Sequence, residues 1–380
     1  MPTKKILMIF GTRPEAIKMA SLYYALKDRS EFNVRVCVTA QHRQMLDQVL
    51  NVFNIIPDID LDLMKPGQDL IDVVTSVMVA VRTVISIERP DLVLVHGDTS
   101  TAMATATTCF FMGIPVGHIE AGLRTYDLHS PFPEEFNRQV VGKIASLHFV
   151  PTKLGRDNLL NEGVKDSSIF ITGNTVIDSL LWLLNRIEAS KELKTTLYNR
   201  ITSALGFDWT SDKFILITGH RRENFGDGFI SICEAISDLA KKYPNVRFVY
   251  PVHLNPNVQV PVVKILTNHT NIHLIKPLEY ESFVCLIKHC YFVLTDSGGI
   301  QEEAPTLGKP VLVMRDVTER PEAVLAGTVV LVGASRDRII ANVSELLDNT
   351  KLYERMAHSH NPYGDGYACK RIVEVLETIG

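Results

Sequence analysis

None of the six cysteines, Cys37, Cys109, Cys233, Cys285, Cys290 and Cys369, stands in C-x-x-C spacing with another, and most lie in apolar runs. A disulfide framework is therefore disfavoured, and the expectation is reduced, buried thiols in a cytoplasmic protein. Positive charge is not in surplus either: the net charge is −4. That excludes a dedicated nucleic-acid binder but leaves room for a local anion site. The start, Met1-Pro2-Thr3-Lys4-Lys5, lacks a signal-peptide cleavage pattern and runs straight into a strand-like segment. The longest apolar stretch, residues 73–85, is interrupted by Thr75, Ser76, Arg82 and Thr83, so no membrane span is expected. The sequence has no G-x-x-x-x-G-K-[ST], no G-x-G-x-x-G and no G-x-S-x-G. An ATP P-loop, a dinucleotide fingerprint and a nucleophile elbow are thus unsupported. No Cys/His cluster has metal-ligand spacing, so neither a metal nor a cofactor is expected.

The chain does have strands and helices in alternation. Short β-branched runs at 6–10, 34–38, 92–95, 115–119 and 147–150 are separated by segments of helical periodicity at 16–26, 45–53 and 70–87. The scheme repeats in the second half. Strand-like runs lie at 214–218, 246–252, 273–275, 292–295, 310–313 and 329–332, with helices at 230–242, 282–290 and 339–347. The fold class is α/β, with two Rossmann-like, doubly wound parallel-sheet domains. The 380 residues also fit two domains at roughly 150 residues each. The hinge is expected at Gly173–Asn174. This gives an N-terminal domain of residues 1–173 plus a returning helix at 364–380, and a C-terminal domain of residues 174–363. Asn174-Thr175 reads as a helix cap, and a polar stretch spans residues 190–213.

Open parallel sheets bind ligands beyond the carboxyl ends of their strands, so the residues there carry the functional reading. Gly11-Thr12-Arg13-Pro14-Glu15 and then Lys18 follow the first strand; the turn presents backbone N–H groups, and Arg13 adds a charge for phosphate or carboxylate. His96-Gly97-Asp98-Thr99 follows another strand, where Asp98 is either a helix cap or an acid/base. Glu120, flanked by Ala121 and Gly122, needs a partner or a role, and Arg124 is the plain candidate for an ion pair. Glu134 opens a helix, where the helix dipole also favours it. Together Asp98, Glu120 and Glu134 place three carboxylates at one rim.

In the second half, Gly219-His220-Arg221-Arg222 ends a strand and reads as a diphosphate clamp. His253 ends another and is as consistent with a structural role. In Asp296-Ser297-Gly298-Gly299, Ser297 is positioned to cap a helix, and the glycines admit a phosphate to the backbone N–H groups. Glu303 is expected about two turns into that helix, at ~3.6 residues per turn, within reach of a ribose.

Taken in order, these segments resemble the non-hydrolysing UDP-N-acetylglucosamine 2-epimerases, which have the GT-B fold. Thr39-Ala40-Gln41-His42-Arg43, Thr172-Gly173-Asn174-Thr175, Tyr250-Pro251-Val252-His253 and Thr318-Glu319-Arg320-Pro321-Glu322 extend the match across nearly the whole chain. The resemblance implies reversible inversion at C2 of UDP-N-acetylglucosamine by elimination of UDP and its re-addition to a 2-acetamidoglucal. It implies that Asp98, Glu120 and Glu134 are the acid/base groups and that His220 serves the departing diphosphate. It further implies that Arg13, Lys18, Ser297, Gly298, Gly299 and Arg320 line the substrate pocket, with Phe283 by the uracil and Glu303 on the ribose. A second UDP-N-acetylglucosamine, bound as activator, would meet Gln41, Gln44, Arg221 and His253. A homodimer, and a product feeding bacterial surface polysaccharide, complete the expectation. The rival readings are a GT-B glycosyltransferase that uses a UDP-sugar, a hydrolysing epimerase and a non-catalytic UDP-sugar sensor.

Overall fold

A computed structural model describes residues 3–40, 43–65 and 67–379, with backbone only at Arg222. The chain divides into two compact units, residues 1–182 with 363–380, and residues 183–362.

In the first unit the elements are β1 (Lys4–Phe10), α1 (Arg13–Lys27), β2 (Phe32–Val38), α2 (Arg43–Val52), β3 (Ile59–Asp60), α3 (Leu70–Glu88), β4 (Leu92–His96), α4 (Ser100–Met112), β5 (Val116–Ile119), α5 (Glu134–Ile144), β6 (Leu147–Val150), α6 (Lys153–Asn161), β7 (Ile169–Ile171) and α7 (Thr175–Ala189), whose last residues pass into the second unit. The second unit holds α8 (Lys191–Leu205), β8 (Phe214–Thr218), α9 (Asp227–Lys242), β9 (Arg247–Pro251), α10 (Pro256–Leu266), β10 (Ile272–Ile275), α11 (Tyr280–His289), β11 (Phe292–Thr295), α12 (Ile300–Thr306), β12 (Val311–Val313), α13 (Pro321–Leu325), β13 (Val329–Leu331), α14 (Arg336–Asp348) and α15 (Thr350–Ala357). The last helix, α16 (Ala368–Thr378), returns to the first unit and packs on α1.

Parallel strands covered on both faces are apolar throughout rather than alternating, and β1 follows that rule: Ile6 to Phe10 are all buried. Strand order in the first sheet is β3-β2-β1-β4-β5-β6-β7, and in the second β10-β9-β8-β11-β12-β13. Every pair is parallel. Each sheet reverses direction of growth once, between β1 and β4 and between β8 and β11. Loops at such a switch point splay apart and leave room for a ligand.

The structure departs from the sequence expectations in three places. The unit boundary falls at Trp182, inside α7, rather than before it at Gly173–Asn174. Trp182 is held in the first unit by ring contacts with Tyr24 and Phe53. Residues 191–205 of the polar stretch form α8, which buries Leu197, Ile201 and Leu205 at four-residue spacing. The run broken by Thr75 and Arg82 lies within a continuous apolar helix, α3, in which an 18-residue window averages a hydropathy of 2.0. By length and composition it is able to cross a membrane; in this fold it is the crossover between two strands of one sheet.

Candidate active site

Construction begins at the β1/β4 fork. Thr12 caps α1 and forms a capping box with Glu15. Glu15 is almost fully buried. One carboxylate oxygen accepts from the backbone N–H of Gly11 at 3.0 Å and of Thr12 at 2.8 Å, and the other from the Thr99 hydroxyl at 2.7 Å. Burial pushes its pKa up, and the hydrogen bonds from these three residues oppose the shift. One side chain thus ties the loop carrying Arg13 to the loop carrying Asp98. The sequence does not show this, because the link requires β1 and β4 to be neighbours.

At the end of β4, Gly97 takes φ +63° and Thr99, not Asp98, caps α4. Freed from capping, the Asp98 carboxylate pairs with Arg138 Nη2 at 2.6 Å, while Asn137 Nδ2 donates to its carbonyl at 2.9 Å. Burial raises the Asp98 pKa; the Arg138 guanidinium opposes this, and the Glu120 and Glu134 carboxylates reinforce it. The three expected acids therefore do share one electrostatic neighbourhood.

Glu120 follows β5 at φ +61°, a left-handed conformation that costs a non-glycine residue about 1 kcal/mol. Backbone hydrogen bonds on either side hold it there, from Gly97 N–H to Ile119 O and from Ala121 N–H to Phe149 O. Its carboxylate pairs with the buried Lys18 ammonium and accepts from Asn174 Nδ2 at 2.6 Å. The His96 ring lies 3.9 Å away, its pKa pushed down to about 4 by burial. Arg124 is not its partner: the Arg124 guanidinium grips Glu162 in two hydrogen bonds of 2.6 and 2.9 Å. Glu134 is the first residue of α5, preceded by Pro133 with no side-chain cap. Beside it the buried Glu135 accepts from Thr125 N–H and Tyr126 N–H, shaping the preceding loop.

The second unit repeats the construction at the β8/β11 fork. Thr218 and Thr295 join their hydroxyls at 2.5 Å. The fully buried Asp296 reaches back across the fork, and its Oδ2 accepts from the backbone N–H of His220 at 2.7 Å and of Arg221 at 2.8 Å. The His220 ring is more exposed and stacks on His253, with centroids 5.1 Å apart. Desolvation lowers its pKa, the Asp296 carboxylate opposes, and His253 and Arg221 add to the lowering. The His253 Nδ1 accepts from Asn255 N–H at 3.1 Å, so that ring also shapes its own turn.

Ser297 does not cap α12. The cap position is Gly299, and the Ser297 carbonyl accepts from Gln301 Nε2 at 3.3 Å. Gly298 and Gly299 form a turn before Ile300, so Glu303 sits in the first turn of α12, not two turns along. It accepts from the Tyr280 hydroxyl at 2.7 Å. A Cβ on Gly298 would meet Arg320 Nη1 at 2.7 Å, whereas one on Gly299 would meet nothing within 4 Å. The first glycine thus makes room for Arg320, which pairs with Glu302 and with Glu319, the latter at 2.6 Å. Arg320 is thereby anchored in the fold as well as adjacent to the turn. Phe283 is half-buried on α11, and Gln44 is exposed in the first turn of α2; Gln41 lies outside the described residues, as does the side chain of Arg222. Among the described residues no group of three or more His, Cys, Asp or Glu is placed to hold a metal.

Two doubly wound parallel sheets, one with clustered acids and one with a basic, glycine-containing fork, define a GT-B protein of the nucleotide-sugar type. The sequence profile described as UDP-N-acetylglucosamine 2-epimerase matches residues 24–377. A UDP-N-acetylglucosamine 2-epimerase of Escherichia coli K12 is 55% identical over 373 residues, covering 98% of each chain. One from Campylobacter jejuni is 53% identical over 376 residues, 98% of this chain and 97% of that one. The crystal structure of the Neisseria meningitidis UDP-GlcNAc 2-epimerase bound to UDP-GlcNAc superposes with a TM-score of 0.92 at 49% identity, covering 98% of this chain and 100% of that one. The chain belongs to the UDP-N-acetylglucosamine 2-epimerase family.

Proposed function

We propose that the protein interconverts UDP-N-acetylglucosamine and UDP-N-acetylmannosamine without hydrolysing them, supplying the latter for surface polysaccharide. The observation that carries this is the clustering of Asp98 with Glu120 and Glu134, both close enough to bear on the charge of Asp98. Inversion at C2 needs a proton taken from one face of the sugar and another delivered to the opposite face, so more than one acid/base group is required. Removal of the C2 proton accompanies cleavage of the C1–O bond; UDP leaves with that electron pair, and a 2-acetamidoglucal remains. Re-addition of UDP at C1 with protonation at C2 completes the inversion.

The acids divide this work by environment. Glu120 is held between the Lys18 ammonium and the Asn174 amide. Asp98 is balanced between burial and Arg138. In the second unit the Ser297–Gly299 turn is read as a phosphate ligand, with Glu303 on the ribose, Phe283 by the uracil and Arg320 completing the pocket; in the first unit Arg13 is read as an anion ligand. His220, half in solvent and with a lowered pKa, is suited to meet the departing diphosphate. Gln44, Arg221 and His253, with Gln41, remain the positions proposed for an activating second substrate molecule.

We infer in addition that the chain pairs with a copy of itself in the cytoplasm. All six cysteines are free and buried, as suits a reducing compartment. On α3 and the adjoining α4, Ile71, Val79, Ile87, Phe110 and Phe111 are each more than half exposed. An apolar surface of that kind on a water-facing protein calls for a partner.

Proton NMR of the protein with UDP-N-acetylglucosamine in D2O tests the reaction. The expected product is UDP-N-acetylmannosamine carrying deuterium at C2. Free N-acetylmannosamine with UDP would assign the hydrolysing reaction; no turnover without an acceptor sugar would assign a transferase; binding without exchange would leave a sensor.

A further inference from the structure

Both units place a buried carboxylate across the switch point of their sheet, and the two differ in one respect. In the first unit both oxygens of Glu15 are occupied, by two backbone N–H groups and by Thr99. In the second, Asp296 Oδ2 takes both backbone N–H groups, and Oδ1 has no hydrogen-bond partner among the described residues although the side chain is fully buried. A buried carboxylate oxygen without a donor is costly, on the order of 1–3 kcal/mol or more, so its persistence asks for a reason. The group facing it is His220, whose Nδ1 lies 3.7 Å away. That is slightly beyond hydrogen-bond length, and hydrogen bonds to working groups commonly tighten only when substrate is bound.

We propose that Asp296 is the positioning residue for His220, its free Oδ1 accepting the Nδ1–H of the imidazole so that Nε2 is left to meet the diphosphate. The inference rests on the reading of His220 given above and deepens it. The same carboxylate then does two things. Through Oδ2 it fixes where the His220 backbone begins, and through Oδ1 it fixes the ring's tautomer and rotation. It also stabilises the imidazolium that forms if the ring takes a proton. Two other groups face the ring, and both oppose that charge: Arg221 on the same loop, and His253 stacked upon it. Asp296 is the one facing group that favours it.

The test uses full-length protein labelled with 15N-histidine and saturated with UDP, with the His220 signals assigned by their loss in His220→Ala. Above its titration midpoint, wild-type His220 is expected as the Nδ1–H tautomer. Asp296→Asn keeps an oxygen for the two backbone N–H groups but turns N–H donors toward the ring. In it the tautomer is expected to switch to Nε2–H, and the His220 midpoint to fall by about one pH unit. The kcat is expected to fall at least about tenfold with KM within about threefold, the pattern of a group that acts after substrate has bound. An Nε2–H tautomer in the wild type overturns the proposal without any variant, so it stands testable even if Asp296→Asn fails to fold. An unchanged midpoint or an unchanged kcat in Asp296→Asn overturns it too. If the His220 signals do not respond to UDP, or His220→Ala keeps full activity, the reading of His220 itself has failed. That result is distinct from one in which His220 matters and Asp296 does not.

Discussion

Neighbouring positions on α5 set the chemistry of Asp98: Asn137 holds its backbone and Arg138 its carboxylate. The guanidinium favours the charged form of Asp98 and so holds its pKa below where burial and the two nearby acids would put it. Replacing Arg138 with Met removes that opposition. The Asp98 pKa rises, less of it is ionised at any given pH, and the acidic limb of the kcat/KM profile moves to higher pH by about one unit or more. An unmoved limb in Arg138→Met would show that a group other than Asp98 sets it. Asp98, Glu120 and Glu134 stood out in the sequence as a set at strand ends and a helix start, although capping and the helix dipole gave Asp98 and Glu134 structural explanations of their own. Arg138, Glu15 and Asp296 were not, because their roles depend on which strands lie side by side. The sequence also offered Arg124 as the partner of Glu120, whereas Lys18 and Asn174 fill that place, one of them distant in sequence by a hundred residues.

At the level of elements, the long apolar strands were readable, while β3 at two residues and β7 at three gave too little pattern to register. The spacing of Leu197, Ile201 and Leu205 did announce α8, but the charged residues between them masked it. The glycines report on how closely elements approach. Gly122, in the turn after Glu120, adopts φ +86°, and a Cβ there would stand 2.3 Å from the Gly155 carbonyl oxygen on α6. Gly163, just past α6, has φ +82° and open space around the same point. Gly163→Ala carries only the left-handed backbone penalty, about 1–2 kcal/mol. Gly122→Ala adds a collision between backbones that no rotamer relieves, and is expected to cost about 3 kcal/mol or more. Urea unfolding of the two variants measures the difference. Equal losses would mean that α6 shifts freely away from the turn that presents Glu120.

For the molecule as a whole, the two sheets share the order of their first six strands, to which the first sheet adds a seventh, and one device, a buried carboxylate pinning the loops at the switch point. What neither sheet explains is the outer face of α3. Its inner stripe, Val73, Val77, Val81 and Val84, is buried, as a crossover helix requires. Its outer residues Ile71 and Ile87 are 74% exposed, and Phe111 on α4 is 75% exposed. A membrane would demand that α3 leave the sheet it joins, breaking the β3–α3–β4 connection. A second copy of the chain demands no rearrangement. Burying such side chains contributes about 25 cal/mol per Å² of apolar area. A carboxylate on this face, once covered by a partner, reverses that gain and leaves a charge without water. Ile71→Glu combined with Phe111→Glu is therefore expected to weaken self-association by at least about a hundredfold. In light scattering the wild type should run at twice the 42.5 kDa chain mass and the double variant at once that mass. A wild type that already runs as one chain, or a double variant that still runs as two, would place the interface elsewhere or remove it, and the exposed face of α3 would need another partner.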